Sequence, residues 1–238
     1  MAGRGLKGAA LVALAFAVPA AAQDRPRVDV LLVLAADVSR SIDRTKFELQ
    51  RKGYADALVD KRVLDAIASN PERRIAVAFV EWAGAGSQKL VVDWTPIAGA
   101  ADAAAFAEQV RTAPRSFADR TAIGAALDFA AAQFDHAGWT AGRRIVDVSG
   151  DGVSNSGPEV APARDAALAR GVTTINGLVI LSSGEGPAYL VEHTHPPGGL
   201  AGYYRANVAG GVGSFVVTAD GFESFDRALI AKIVEEIS

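Results

Sequence analysis

Asp37, Ser39 and Ser41 stand two apart in Asp37-Val38-Ser39-Arg40-Ser41, directly behind the apolar run Val30-Leu31-Leu32-Val33-Leu34-Ala35-Ala36. One carboxylate and two hydroxyls at that spacing can face a single point from a loop, and an all-oxygen set suits Mg²⁺, Mn²⁺ or Ca²⁺ rather than zinc. Two later segments bring oxygen in a similar setting. Asp119-Arg120-Thr121-Ala122-Ile123-Gly124 places a hydroxyl at a helix start, and Ser149-Gly150-Asp151-Gly152 places an acid just past another apolar run. Each has a plain reading alone: Ser41 or Asp43 caps a helix, Thr121 caps the next, and Asp151-Gly152 forms a turn. All three in chain order, two of them directly behind buried strands, exceed what caps and turns explain. The expected site is therefore Asp37, Ser39, Ser41, Thr121 and Asp151 around a divalent cation.

The elements that must carry these residues follow from hydrophobic periodicity. A near-continuous Val/Leu run is the mark of a parallel strand buried on both faces, and open α/β sheets bind ligands beyond the carboxyl ends of such strands. Helix is expected over 43–58 and in a short piece ending at Asn70-Pro71, then strand over 75–82. The Gly84-Ala85-Gly86 turn leads into 89–94 as an antiparallel hairpin. Helices 98–110 and 122–134, strand 144–148, helix 160–170 and strand 173–180 follow, then a Gly- and Pro-rich stretch, 182–202, read as irregular apart from a helical turn at 188–192. Strand 214–218 and an amphipathic helix, 224–237, close the chain. This alternation predicts an α/β fold with a mostly parallel sheet of about six strands, one of them antiparallel at an edge, and helices on both faces.

The order Asp-x-Ser-x-Ser, then Thr, then Asp-Gly resembles the metal-ion-dependent adhesion site of the von Willebrand factor type A (vWA) superfamily, and the likeness runs from about Val28 to the last helix. It is similar in particular to a group of exported bacterial proteins catalogued as a domain of unknown function, through Arg143-Arg144-Ile145-Val146-Asp147-Val148-Ser149-Gly150-Asp151-Gly152 and Val208-Ala209-Gly210-Gly211-Val212-Gly213-Ser214-Phe215-Val216. The resemblance implies a Rossmann-like vWA fold. It also implies a division of labour in which Ser39, Ser41 and Thr121 touch the ion while Asp37 and Asp151 act through bound water. An ion held mainly by neutral hydroxyls stays electrophilic, so an Asp or Glu of a partner protein can complete the octahedral shell that Mg²⁺ prefers. Arg40 departs from the family, which usually has a small residue between the two serines; it either shields the ion or steers an acidic partner by charge. Arg40, Glu81 and Trp82 are the expected partner-contact rim, with a half-exposed hairpin pair as the alternative for Glu81 and Trp82.

Two other functions compete. A hydrolase or phosphoryl-transfer enzyme using the same ion needs a nucleophile or base beside it, yet position 39 is Ser rather than a second Asp and no histidine is expected near any of the three motifs. Asp43, Asp119 and Asp147 are its remaining candidate bases. A structural subunit with an unoccupied site is the other reading. His193-Thr194-His195 has Pro196-Pro197-Gly198-Gly199 behind it and no evident third ligand, so these are expected to be solvated loop histidines. Asp147, inside a strand, is expected to be a buried acid bonded to a neighbouring loop.

Composition narrows the partners. Arg4 and Lys7, the apolar stretch 9–18 and Ala20-Ala21-Ala22 form a secretory signal pattern, with 1–22 removed and 23–238 left as one vWA-like domain. The apolar stretch is well short of the roughly 20 residues a spanning helix needs, so no membrane insertion is expected after cleavage. A periplasmic or secreted location follows, and the chain has no cysteine to carry a lipid or a disulfide. Without the signal, 22 basic face 27 acidic side chains and no Lys/Arg block tracks phosphates, which argues against nucleic acid.

Overall fold

A computed structural model describes residues 25–182 and 188–238, so the signal pattern at 1–22 lies outside the described residues. The centre of the sheet is β1 (Val30–Asp37), in which every residue is buried. Its alternate side chains divide between two cores: Val30, Leu32, Leu34 and Ala36 face one, Leu31, Val33 and Ala35 the other. That is why the run shows no polar alternation.

Helices α1 (Arg44–Val59), α2 (Lys61–Ser69) and α3 (Ala100–Thr112) contribute to the first core together with the last helix, α8 (Phe225–Ile237). Helices α4 (Ile123–Gln133), α5 (Val160–Ala169) and α7 (Leu200–Asn207) contribute to the second. A short helix, α6 (Ala188–Thr194), lies between the last strands.

The other strands are β2 (Ile75–Trp82), β3 (Gln88–Ile97), β4 (Arg143–Gly150), β5 (Thr174–Ile180), β6 (Gly210–Gly211) and β7 (Val216–Ala219). The sheet order is β3-β2-β1-β4-β5-β6, with β7 also pairing β5. Strands β2, β1, β4, β5 and β7 are parallel, whereas β3 and the two-residue β6 are antiparallel. The fold is thus the expected mostly parallel α/β sheet, with a second antiparallel strand.

Two elements differ from the sequence reading. Strand β6 is made of glycines, which carry no strand signal, and it pairs Thr174 and Ile175 only briefly. Helix α7 begins inside the stretch read as irregular: Leu200 and Tyr204, four apart, are both buried, but the Gly and Pro residues before them mask that pair.

The chain leaves β1 for β2 on one side and later returns to β4 on the other. Crevices form where the strand order reverses in this way. Asp37 ends β1 and Asp151 directly follows β4, so the topology places both acids at that switch point. Among the described residues no helix is long and apolar enough to cross a membrane.

Candidate metal centre

The β1 loop is held in a defined shape before any ligand is considered. Asp37 is fully buried and its Oδ1 accepts the Ser39 backbone N–H at 2.7 Å, an Asx-type turn that folds the loop back over the strand end. Gln50 on α1 donates to the Asp37 carbonyl at 3.1 Å. Arg115 donates to the carbonyls of Val38 and Ser39 at 2.7 and 2.8 Å.

The cap of α1 is Asp43, whose carboxylate accepts the Lys46 N–H at 2.9 Å. Ser41 is therefore free of capping duty. Its hydroxyl donates to Asp151 Oδ1 at 2.5 Å and lies 3.1 Å from Ser39 Oγ. A chain of oxygens thus links the β1 loop to the β4 loop.

Thr121 is not a cap either. Helix α4 has Ala122 at its N-cap without a side-chain bond, and Thr121, buried, turns its Oγ1 to within 3.3 Å of His193 Nε2. Its backbone is sewn to the loop after β4: Thr121 N–H donates to Asn155 Oδ1 at 3.0 Å, and the N–H groups of Asn155 and Ser156 donate to the Thr121 carbonyl at 2.8 and 3.1 Å. Ser41, Thr121, Asn155 and His193, with Arg40, Asp119 and Arg120, line one cavity of about 190 Å³.

Electrostatics explain what this arrangement lacks. Burial, reinforced by the Asp151 carboxylate, pushes the Asp37 carboxyl from 3.8 up to about 8. Among the described residues, buried Asp37 Oδ2 takes no hydrogen bond, and Asp151 Oδ2 takes none either and has Lys46 Nζ at 3.5 Å. Two desolvated carboxylates beside three hydroxyls favour a cation, which would relieve their repulsion and use the free lone pairs. No group of three or more His, Cys, Asp or Glu side chains among the described residues is placed to hold a metal, so a cation here depends on the serine and threonine oxygens. The donor set fits a hard divalent ion.

Several supporting residues escaped the sequence reading. Lys46, one helical turn beyond Ser41, donates to the Ser41 carbonyl at 2.9 Å. Tyr54 on α1 donates to Ser149 at 2.8 Å. Tyr204 on α7 is fully buried, and burial, with the charges of Asp37 and Asp151 adding to it, raises its hydroxyl well above its ordinary value. His193 belongs to α6 rather than to a solvated loop, half-buried against Thr121, and burial lowers its imidazole below 6.5 although Asp151 opposes this. The reading that no histidine lies near the motifs is thereby corrected, because 72 residues of sequence separate a pair that the fold brings together. His195 is exposed, as expected.

The expected rim is also corrected in part. Arg40 is exposed beside the cavity and donates from Nε to the Ala118 carbonyl at 3.3 Å. Glu81 and Trp82 are fully buried, because β2 is flanked by β1 and β3 and covered on both faces to its last residue. Glu81 pairs with Arg51 at 2.5 Å and accepts the Ser116 N–H at 2.7 Å, while Trp82 Nε1 donates to the Ala35 carbonyl at 3.1 Å. They brace the loops around the site from inside. Among the described residues Asp147 bonds no loop; it pairs with Lys232 of α8 at 2.7 Å.

Comparison with known proteins agrees with this fold. Among solved structures, a proximal thread matrix protein from the mussel byssus, described with a zinc-occupied MIDAS motif, superposes with a TM-score of 0.60 at 16% identity over 90% of this chain and 49% of that one. A pilus adhesin of Lactobacillus rhamnosus GG, SpaC, in its open conformation gives 0.58 at 14% identity over 90% of this chain and 31% of that one. A von Willebrand factor type A protein from Catenulispora acidiphila gives 0.55 at 16% identity over 88% and 43%. The chain spans about half or less of each of these structures, and at such identities the likeness is one of fold: the domain is vWA-like. No curated protein matches the sequence. The profile described as "Protein of unknown function (DUF1194)" matches residues 27–238, and the chain therefore belongs to the DUF1194 family.

Proposed function

We propose that this protein is an exported binding module that holds a divalent cation at the ends of β1 and β4 and uses it to grip an acidic side chain of a partner protein. The observation that carries the reading is the bond from Ser41 to Asp151 at 2.5 Å, which joins hydroxyl and acid from two strands at the switch point while Asp43 performs the capping. Ser39, Ser41 and Thr121 would hold the ion, with Asp37 and Asp151 behind them. The ion would supply Lewis acidity toward a carboxylate. Arg40 and Arg120 flank the cavity and add positive potential for the same partner.

A hydrolytic reading has less support, although the fold does bring His193 to the site: its Nε2 is engaged with Thr121 Oγ1 at 3.3 Å, and the three sequence candidates are occupied elsewhere. Asp43 is occupied as a helix cap and Asp147 by Lys232. Asp119 accepts from Ser87 at 3.2 Å and from the Arg120 backbone.

A thermal-shift titration with Mg²⁺, Mn²⁺ and Ca²⁺ tests the proposal. Binding to the folded state raises Tm with concentration, by linkage, and Asp37→Ala abolishes the rise. No shift at millimolar ion in the wild type would sink it. Affinity capture with and without EDTA then tests whether any partner depends on the ion.

A further inference from the structure

We propose that His193 is a nitrogen ligand of the same cation, converting an all-oxygen site into a mixed one that prefers borderline ions such as Mn²⁺, Co²⁺ and Zn²⁺ over Mg²⁺. The inference rests on the metal-binding reading above and adds a residue to it. Two cis ligands of an octahedral ion with bonds of about 2.1 Å lie roughly 3.0 Å apart, and two ligands of a tetrahedral ion about 3.4 Å apart. Ser39 Oγ and Ser41 Oγ are 3.1 Å apart, and Thr121 Oγ1 and His193 Nε2 are 3.3 Å apart. Both pairs therefore have the spacing of neighbouring ligands, and His193 lines the cavity shared by Ser41 and Thr121.

The surroundings are shaped for the ring. A Cβ at position 152 would lie 2.0 Å from Nε2 and 2.5 Å from Cδ2, so the glycine after Asp151 is what admits the imidazole to the site. The His193 carbonyl accepts the Val153 N–H at 2.9 Å, tying the start of the β4 loop to the helix that carries the ring. Nδ1 is buried without a hydrogen bond, so the one hydrogen-bonding contact of the imidazole among the described residues is at Nε2, toward Thr121. A neutral imidazole suits Mn²⁺, Co²⁺, Ni²⁺ and Zn²⁺, whereas Mg²⁺ favours oxygen. A nitrogen ligand would also leave one position fewer for a partner's carboxylate.

Two measurements on the metal-free protein test this. Mn²⁺-loaded wild type should show ¹⁴N hyperfine coupling of a directly bound imidazole in pulsed EPR, which needs no variant to fold. In thermal-shift titrations the ratio of Mg²⁺ to Mn²⁺ midpoints should fall at least about tenfold in His193→Ala, since losing even a residue that only hydrogen-bonds a metal ligand costs about 10–100-fold in metal affinity. His193→Gln, which returns an oxygen donor, should move preference toward Mg²⁺. If ions stabilise the protein through Asp37 but Mn²⁺ shows no ¹⁴N coupling, or if the ratio is unchanged in His193→Ala, the inference is overturned and the metal site stands. If no ion stabilises the wild type, both fall together.

Discussion

Ser41 and Thr121 show how a residue's role depends on which neighbour takes its bond. Both stand at helix starts, where a hydroxyl commonly caps the backbone, yet Asp43 caps α1 and Thr121 turns its hydroxyl to His193. Arg40, between the two serines, leans on the Ala118 carbonyl rather than on the ligands. Arg40→Ala is accordingly expected to leave the cation midpoint unchanged in a thermal-shift titration; a tighter midpoint would make Arg40 a shield instead. Gly150 is constrained by packing, since a Cβ there would lie 2.4 Å from the Tyr204 hydroxyl and 3.2 Å from Asp37 Oδ2. Gly150→Ala should cost about 1–3 kcal/mol in urea denaturation, as overpacking does, and Tyr204→Phe in the same chain should recover part of that loss.

Between elements, the site depends on buried polar ties that fasten helices to strand ends. Arg51 of α1 pairs with Glu81 at the end of β2, donates to the Val110 carbonyl of α3 at 2.5 Å, and lies over the rings of Phe47 and Phe79. Glu81 in turn holds the Ser116 N–H at 2.7 Å, in the loop whose Arg115 grips the Val38 and Ser39 carbonyls. Removing one member of such a pair leaves a buried charge uncompensated. Arg51→Met is expected to lower stability by about 3–5 kcal/mol, whereas Arg51→Met with Glu81→Leu should lose clearly less. Equal losses in urea unfolding would show that packing of the Arg51 stem, rather than its charge, is what matters.

At the scale of the whole molecule, the first core encloses a second set of charges. Lys232 of α8 is fully buried between Asp147 of β4 and Glu236, and Asn176 of β5 donates to Glu236 at 2.8 Å. Burial, opposed by Lys232 and aided by Asp147, raises Glu236 from 4.5 to about 7. Its folded value lies above its unfolded one, so the folded state binds more protons across this interval. The contribution is full below pH 4.5 and is lost as pH rises through about 7. Denaturant midpoints of the wild type should therefore carry a component that falls over this window. Glu236→Gln should flatten it, and an unchanged slope in that variant would assign the pH dependence elsewhere.

Sequence alone determined every strand but β6 and most of the helices, and it put forward the five oxygen-bearing residues as candidates, because buried parallel strands are apolar runs and ligands in α/β folds sit where those runs end. The periodicity of 30–36 and the Asp-x-Ser-x-Ser loop behind it are local properties, legible without coordinates. Helix α7 and strand β6 were not, since glycines and prolines hide the first and the second exists only through its pairing with β5. The burial of Glu81 and Trp82, the ion pair of Asp147 with Lys232 and the contact of His193 with Thr121 were decided by tertiary structure. Each depends on segments distant in the chain packing together, and no local pattern records which neighbour a polar side chain will meet.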